Sequence, residues 1–210
     1  RLFKKMAEAA VRVAKVLEYE NAGTVEFLVD EGERFYFIEM NTRLQVEHPV
    51  TEMITGIDLV KEQIRIAAGE KLGFNQDSVK FNGASIECRI NAEDPDRHFL
   101  PCPGTIETLL LPGGPHVRVD THVYPGYTIP PYYDSLVAKI ITHGKNRTEA
   151  IQIMLRALKE TTIGPVKTTV SLHERVLNRP RFRQGKVPTN FIESVLVPAG
   201  VEQVEQRKAG

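Results

Sequence analysis

Residues 39–52 carry the side chains whose types and spacing best suit chemistry in this sequence. They follow an apolar run, 36–38, whose aromatic and β-branched character is typical of a buried strand. Extended backbone places every second side chain on one face. We therefore expect two acids, two amides and a base on one side of the chain: Glu39, Asn41, Arg43, Gln45 and Glu47.

A hairpin is predicted around this strand, because the run 23–29 has the same apolar character and turn-forming residues separate the two. If Gly32 and Glu33 are the central turn residues, the register is fixed. A turn one residue longer would shift that register and separate the facing residues. The predicted facing pairs are Glu26 with Glu39 and Thr24 with Asn41.

Two facing carboxylates, Glu26 and Glu39, repel each other and so require a compensating cation. Together with the amide oxygen of Asn41 they suit Mg²⁺ or Mn²⁺, which keep water ligands and bind substrate phosphates. This interpretation makes the segment the metal and anion end of an ATP-using site. The alternative is a solvated hairpin face that binds no ion.

Arg43 and Glu47 also allow two interpretations. The planar guanidinium of Arg43 can bind a carboxylate-like or phosphate-like anion, and a neighbouring Glu47 can take a proton from that anion as a general base. Alternatively, the two residues form a surface ion pair of little energetic consequence. Their spacing does not choose between these possibilities.

The segment 39–52, Glu-Met-Asn-Thr-Arg-Leu-Gln-Val-Glu-His-Pro-Val-Thr-Glu, resembles the signature of the biotin carboxylase component of biotin-dependent carboxylases. Its first five residues alone indicate only the ATP-grasp superfamily. The continuation is more specific and argues against an ATP-grasp ligase with an amino or carboxylate acceptor. Further similar motifs extend the resemblance over roughly residues 1–196: 87–95, 99–101, 103–104, 130–135 and 167–169.

The resemblance implies an ATP and metal site. Glu26, Glu39 and Asn41 match the family's metal ligands, with Glu39 bridging two Mg²⁺ or Mn²⁺ ions at the phosphates of ATP. Glu26 and Glu39 therefore also count as ATP-binding residues. Phe191 lies where the family packs an apolar side chain near adenine.

The resemblance also implies a bicarbonate site. Arg43, Gln45 and Val46 match the bicarbonate pocket, and Arg43 is further assigned a catalytic role. Glu47 matches the base that deprotonates bicarbonate for attack on the γ-phosphate of ATP.

The resemblance assigns roles to three further residues. Arg89 matches the catalytic arginine that holds the reaction centre and stabilises the biotin enolate, and Asp134 falls in a motif near bound biotin. Arg118 resembles a dimer-interface arginine. Without the family motif, Arg89 would be interpreted as a surface arginine paired with Glu87.

The implied activity is the ATP-dependent carboxylation of biotin on a biotin carboxyl carrier protein. Bicarbonate is the carbon source, carboxyphosphate is the intermediate, and the reaction is the first half-reaction of acetyl-CoA carboxylase. Implied partners are the carrier protein, the carboxyltransferase subunits and a second copy of the chain. The alternatives are the biotin carboxylase part of a propionyl-CoA, pyruvate or urea carboxylase, or an inactive folding and dimerisation module.

The expected fold class is α+β. Residues 1–83 are assigned to the carboxyl-terminal part of an ATP-grasp domain, and residues 84–197 to a mostly antiparallel biotin carboxylase carboxyl-terminal domain. Residues 198–210 lack periodic apolar positions and are expected to be disordered. Because the chain begins at Arg1 without the family's nucleotide-binding half, a fragment of a separate bacterial-type subunit is expected.

Composition narrows the range of partners. The chain has 27 basic residues (lysine plus arginine) and 27 acidic residues (aspartate plus glutamate), so its formal net charge is zero. This balance argues against a nucleic-acid partner, which normally requires a basic excess. No apolar run reaches the ~20 residues of a membrane span. Cys88 and Cys102 lack metal or redox spacing, which favours a cytoplasmic protein with reduced thiols. The histidines show no ligand spacing, and most of them are interpreted as loop or surface residues.

Apolar periodicity predicts the remaining elements. A helix is predicted for 51–69, with a break at Gly56 and Asp58 as the N-cap of its second part. Asn146 is the predicted N-cap of a later helix. The other predicted helices are 2–19, 148–160, 168 or 169 to 177, and 190–196, and the predicted strands are 84–92, 105–111, 117–123 and 135–143.

Overall fold

The computed structural model of the chain describes residues 1–196, apart from the side chains of Ser194 and Leu196. Contacts divide the chain into two compact units, Arg1–Phe81 (unit 1) and the part from Asn82 onward (unit 2). The predicted domain boundaries stay predictions. The segment expected to be disordered, 198–210, lies outside the described residues.

Unit 1 has a hairpin between helices. Its elements are α1 (Leu2–Val16), β1 (Thr24–Val29), β2 (Phe35–Asn41), α2 (Pro49–Thr55) and α3 (Leu59–Ala67). Helix α2 begins two residues before its predicted start, because proline is well suited to the first helical position. It ends at Gly56, whose left-handed φ of 72° matches the predicted break. The predicted cap of α3 is confirmed, since Asp58 accepts a hydrogen bond from Lys61 N at 2.8 Å.

The hairpin ladder contains a β-bulge. Glu26 faces Glu39 as predicted, but next to them Phe27 faces Phe37. Ile38 is therefore an extra residue on β2 with no partner on β1. The bulge changes the register by one residue between the turn and the acidic end of the hairpin.

The hairpin turn differs from the predicted two-residue turn at Gly32 and Glu33. Asp30 N donates to Arg34 O at 2.9 Å, which leaves 31–33 as the loop. Glu33 adopts a left-handed φ of 59°, as the last residue of a three-residue hairpin loop commonly does. The turn is thus one residue longer than predicted, and the bulge at Ile38 restores the predicted register.

Unit 2 is built around an antiparallel sheet. Its strands are β3 (Ala84–Asn91), β4 (Glu93–Asp94), β5 (Leu100–Pro101), β6 (Gly104–Thr105), β7 (Thr108–Leu110), β8 (Val117–Thr121), β9 (Thr128–Ile129), β10 (Leu136–Gly144) and β11 (Thr162–Gly164). Its helices are α4 (Arg147–Glu160), α5 (Val170–Asn178), α6 (Pro180–Arg183) and α7 (Phe191–Leu196). The central sheet has the order β3-β10-β8, and β4 pairs with β5, β6 with β9 and β7 with β11. The expected α+β class with antiparallel pairing is confirmed.

The core of unit 2 lies between α4 and the central sheet. Ile90 on β3, Ile140 on β10 and Met154 on α4 are completely buried. Helix α4 begins as predicted, since Asn146 Oδ1 accepts a hydrogen bond from Glu149 N at 3.0 Å. The apolar face of α4 fixes the sheet that carries Arg89.

One predicted strand, 105–111, is wrong because it is divided between two small sheets. Ile106 N donates to Tyr127 O at 2.9 Å, beside the β6–β9 pair. The next amide, Glu107 N, donates to Gly164 O at 2.8 Å, beside the β7–β11 pair. The chain changes partners between these two residues, which apolar periodicity does not show.

Candidate active site

Three predicted metal ligands lie together at the open end of the hairpin. Asn41 faces Thr24 across the ladder, as predicted. Its Nδ2 donates to Glu26 Oε1 at 2.9 Å and to Glu39 Oε1 at 3.2 Å. The partial positive charge of this amide group lies between two facing carboxylates and reduces their repulsion.

Arg43 and Gln45 extend this cluster into the following loop. Gln45 Nε2 donates to Glu26 Oε1 at 3.3 Å, and its Oε1 accepts from Arg43 Nη1 at 3.1 Å. Arg43 Nη2 lies 3.4 Å from Asn41 Oδ1. Five of the predicted site residues thus form one hydrogen-bonded network, which we call the hairpin-end network: Glu26, Glu39, Asn41, Arg43 and Gln45.

Glu47 does not continue this row, so the expectation of extended backbone through that position is wrong. His48 N donates to Gln45 O at 3.3 Å and Val50 N to Glu47 O at 3.2 Å, which places Glu47 in a turn leading into α2. Its side chain is exposed. Arg43 donates to other groups and makes no ion pair with Glu47 among the described residues, so the surface-pair alternative is also wrong.

Two residues of the motif that sequence reasoning left without a role hold this turn. His48 Nδ1 donates to Gln45 O at 2.8 Å, and its Nε2 lies 3.9 Å from Glu52 Oε1. The same Glu52 oxygen accepts from Leu59 N at 2.8 Å, at the start of α3. The spacing of four residues between His48 and Glu52 at the start of a helix could have indicated this contact from the sequence.

In unit 2, Arg89 is exposed on β3 and faces Lys139 on β10. Its guanidinium makes no hydrogen bond or ion pair within residues 1–196, so Arg89 is not paired with Glu87 in the structure.

Lys139 also approaches an acid on the next strand, since its Nζ lies 3.4 Å from Asp120 Oδ2 on β8. Partial burial favours a raised pKa for Asp120, but hydrogen bonding and charge from Arg118, with Lys139, hold that pKa below its ordinary value.

The backbone of Arg89 is bonded to α5. Its carbonyl accepts from Thr169 Oγ1 at 3.1 Å and from His173 Nε2 at 2.8 Å. His173 is thus partly buried and hydrogen-bonded to β3, unlike the loop or surface position predicted for most of the histidines. Burial lowers its pKa, opposed in part by the hydrogen bond to Arg89 O.

Comparison with known proteins gives two family matches. Residues 87–194 match the biotin carboxylase C-terminal domain, and residues 1–75 match the ATP-binding domain of the carbamoyl-phosphate synthase L chain. The chain belongs to the biotin carboxylase family. The resemblance seen in the sequence motifs and the ATP-grasp assignment of the fold are thereby confirmed.

Relatives in this family are similar along most of the length of the chain. The biotin carboxylase of Nostoc sp. is 56% identical over 92% of the chain and 43% of the relative. One subunit of the pyruvate carboxylase from Methanothermobacter thermautotrophicus is 54% identical over 91% of the chain and 39% of the relative. The chain thus spans less than half the length of these relatives.

A solved structure is similarly close. It is the biotin carboxylase domain dimer of the Hydrogenobacter thermophilus 2-oxoglutarate carboxylase in complex with MgADP, ADP and bicarbonate. Its TM-score is 0.90 and its identity is 50%, over 93% of this chain and 44% of that chain.

The hairpin-end network fits a divalent cation chemically. Glu26 and Glu39 offer carboxylate oxygens on one patch, and a half-turn of the Asn41 amide exchanges Nδ2 for Oδ1, which would present a third oxygen there. Within residues 1–196, no group of three or more His, Cys, Asp or Glu side chains has metal-binding geometry. The oxygen set at the hairpin end thus consists of two carboxylates and one amide.

The other predicted site residues of the chain lie in unit 2. Asp134 is exposed, and its Oδ1 accepts from Leu136 N at 2.8 Å, so it stabilises its own turn. Phe191 is only 6% exposed and stacks on Phe182 at 6.4 Å between ring centroids. Arg118 makes two hydrogen bonds to Asp120, at 2.8 and 2.9 Å. Their predicted contacts with biotin, adenine and a second copy of the chain stay predictions.

None of the helices in the described part of the chain has the length and apolar character needed to cross a membrane.

Proposed function

We propose that this chain contributes the carboxyl-terminal part of a biotin carboxylase, an ATP-grasp ligase that carboxylates biotin on a biotin carboxyl carrier protein. The reaction uses bicarbonate and ATP and passes through carboxyphosphate. The hairpin-end network carries the proposal, because it joins a cation-compatible oxygen patch to an arginine suited to an anion.

In this proposal Glu26, Glu39 and Asn41 would hold two Mg²⁺ or Mn²⁺ ions at the phosphates of ATP. Such ions neutralise negative charge on phosphate oxygens. The position of Glu39 directly opposite Glu26 suits a shared ligand, since its carboxylate has two oxygens and only one of them accepts from Asn41.

Arg43 binds bicarbonate, together with Gln45 and Val46. The contact from Gln45 Oε1 to Nη1 and the proximity of Asn41 Oδ1 to Nη2 hold the guanidinium of Arg43 at the end of the hairpin. A guanidinium oriented in this way offers paired N–H donors to a planar anion.

Glu47 acts as the general base that removes the bicarbonate proton. The turn held by His48 fixes the backbone of Glu47, while its carboxylate makes no hydrogen bond within residues 1–196. A carboxylate with available lone pairs can accept a proton once the anion is bound beside it. Arg89 is the proposed residue that holds the reaction centre against biotin.

The proposed carboxyl acceptor at the next step is acetyl-CoA, with carboxyltransferase subunits as partners and a homodimer formed through unit 2 near Arg118. A cytoplasmic location accompanies this proposal, because Cys88 and Cys102 are free thiols. Propionyl-CoA, pyruvate and urea are the alternative acceptors. The relatives include part of a pyruvate carboxylase, which keeps pyruvate among them.

A second candidate is an inactive module that supports folding and dimerisation. The observation that favours it is that α1 and α3 of unit 1 contain no fully buried residue. Titration of Mg-ATP into this chain separates the two candidates. Heat of binding that is lost in Glu39→Gln supports a nucleotide site, whereas no binding in either protein supports the inactive module for the chain alone.

The catalytic assignment is tested with Glu47→Gln in a protein of the relatives' full length. We expect bicarbonate-dependent ATP cleavage to be lost, since the amide cannot accept the proton. Glu31→Gln, the same change on the exposed hairpin turn, is the matched control and should retain activity. Normal cleavage in Glu47→Gln would contradict the role of Glu47 as the base.

A further inference from the structure

The strand that carries Arg89 lies at the edge of its sheet. β3 pairs with β10 on one side only, in the order β3-β10-β8. Backbone groups on the open side of an edge strand require other partners when they are shielded from water. At Arg89 and Asn91 those partners come from the start of α5.

Thr169 joins this open edge in the manner of a neighbouring strand. Its N donates to Asn91 O at 3.1 Å, its Oγ1 accepts from Asn91 N at 3.0 Å, and the same hydroxyl donates to Arg89 O at 3.1 Å. Thr169 is also the N-cap residue of α5, yet its hydroxyl makes no capping bond to that helix. The hydroxyl thus bonds to β3 instead of to its own helix, where threonine usually stabilises the first turn.

His173 supplies the second bond to the Arg89 carbonyl. It lies one turn after Thr169 on the same face of α5, and its Nε2 lies 2.8 Å from Arg89 O. A carbonyl oxygen only accepts, so Nε2 carries the hydrogen. Burial lowers the pKa of this imidazole, which favours the neutral form, and the bond to Arg89 O places its hydrogen on Nε2.

Both lone pairs of the Arg89 carbonyl are therefore occupied by α5, while β10 holds the opposite side of the strand. The guanidinium of Arg89, in contrast, has no partner among the described residues. Its placement consequently depends on where the backbone holds the Cα atom and the first side-chain bond. Fixing that backbone reduces the conformations from which a long, exposed side chain must reach a reacting group.

We infer that Thr169 and His173 are positioning residues for Arg89, acting through its carbonyl to fix the guanidinium for the carboxylation of biotin. This inference deepens the proposed function and rests on it. The two residues touch neither substrate nor reacting atoms in this role. They hold the edge of β3 in place, although they lie 80 and 84 residues after Arg89 in the sequence.

The test uses variants in a protein of the relatives' full length, assayed for carboxylation of free biotin. Thr169→Val removes the hydroxyl with little change of shape, and His173→Met removes the Nε2 donor. We expect each to lower kcat about tenfold to hundredfold, the scale of a misplaced catalytic group, with the KM for ATP unchanged. Thr169→Ser and His173→Gln restore the donors and should restore kcat.

Thr161→Val is the matched control, because Thr161 is also buried and also donates to a backbone carbonyl, that of Ala157 at 2.8 Å. Its kcat should stay near that of the unmodified protein. A loss of kcat in Thr169→Val no larger than in Thr161→Val, or failure of Thr169→Ser to recover activity, would overturn the positioning role.

Arg89→Met and amide hydrogen exchange separate this inference from the proposed function. Full carboxylation by Arg89→Met would refute the catalytic role of Arg89 itself. The contact between β3 and Thr169 is then tested by the hydrogen-exchange rate of the Asn91 amide. This rate should rise in Thr169→Val and not in Thr161→Val. Unchanged exchange in Thr169→Val would overturn the contact regardless of the activity results.

Discussion

Glu26 and Glu39 face each other directly across the hairpin ladder, and the side-chain amide of Asn41 donates to both carboxylates. This arrangement depends on Ile38, the extra residue of the bulge. With the register of the turn continued unchanged, Glu26 would face Ile38, and Glu39 would point to the opposite side of the hairpin. The bulge therefore creates the acidic patch.

Mg²⁺ should stabilise unit 1 through this patch. We expect millimolar Mg²⁺ to raise its melting temperature, since an ion that binds only the folded state stabilises it by mass action. Glu39→Gln should lose this response. In the absence of Mg²⁺ the same change should be neutral or stabilising by ~0.2–1 kcal/mol, because it removes one of two facing like charges.

Calorimetric melting curves with and without Mg²⁺ provide the measurement. Glu31→Gln is the control, as it removes a negative charge from the exposed turn of the same hairpin. An equal Mg²⁺ response in all three proteins would place ion binding elsewhere and refute the metal assignment of Glu39.

The hairpin shows both what the sequence predicts and where local rules are insufficient. The facing pair was predicted correctly from a two-residue turn, yet the structure has a longer turn followed by a compensating bulge. The left-handed position of the turn falls on Glu33 and not on the neighbouring Gly32, and no glycine or proline marks the unpaired Ile38. Local capping rules succeeded at Asp58 and Asn146, where donor and acceptor lie three residues apart.

Contacts distant in sequence account for what was missed. The bonds from Thr169 and His173 to Arg89 connect residues about 80 positions apart, and helical periodicity carries no information about them. The turn at Glu47 was missed for a different reason. Alternating polar residues predicted extended backbone, but the bond from His48 to Gln45 O and the suitability of Pro49 as a first helical residue favour a turn.

The core of unit 2 should be sensitive at Ile140. This residue is completely buried on the central strand, so Ile140→Ala should destabilise unit 2 by about 2–5 kcal/mol through lost burial and a residual cavity. Denaturant unfolding monitored by circular dichroism measures the change. Val187→Ala, at a side chain that is 43% exposed, should cost far less. Equal losses would contradict the placement of Ile140 in the core.

The two cysteines should differ in reactivity. Cys88 is buried, and burial raises the pKa of its thiol to about 12, so almost no thiolate is present near neutral pH. Cys102 is only partly buried. In the native protein a disulfide reagent should therefore modify Cys102 first and Cys88 only on unfolding.

Thiol counting with and without denaturant checks this order. Cys102→Ser should remove the fast reaction and leave the slow one. Fast modification of Cys88 in that variant would show that β3 opens to solvent more readily than its paired and covered position indicates.

The stability of unit 2 should depend on pH through His173. Burial holds the pKa of His173 in the folded protein below its ordinary value of 6.5, so the unfolded chain binds a proton more readily. The stabilising contribution of the neutral imidazole is therefore fully present above about pH 6.5 and is lost as the pH falls from 6.5 towards the folded-state pKa. His173→Gln keeps a donor for Arg89 O but cannot titrate, so its unfolding free energy should vary less over this range.

Denaturant titrations between pH 5 and pH 8 measure the difference in unfolding free energy. This range extends about 1.5 pH units on either side of the ordinary His pKa. The control is His122→Gln, the same change at an exposed histidine. The same slope in His173→Gln as in the unmodified protein would mean that other groups cause the pH dependence.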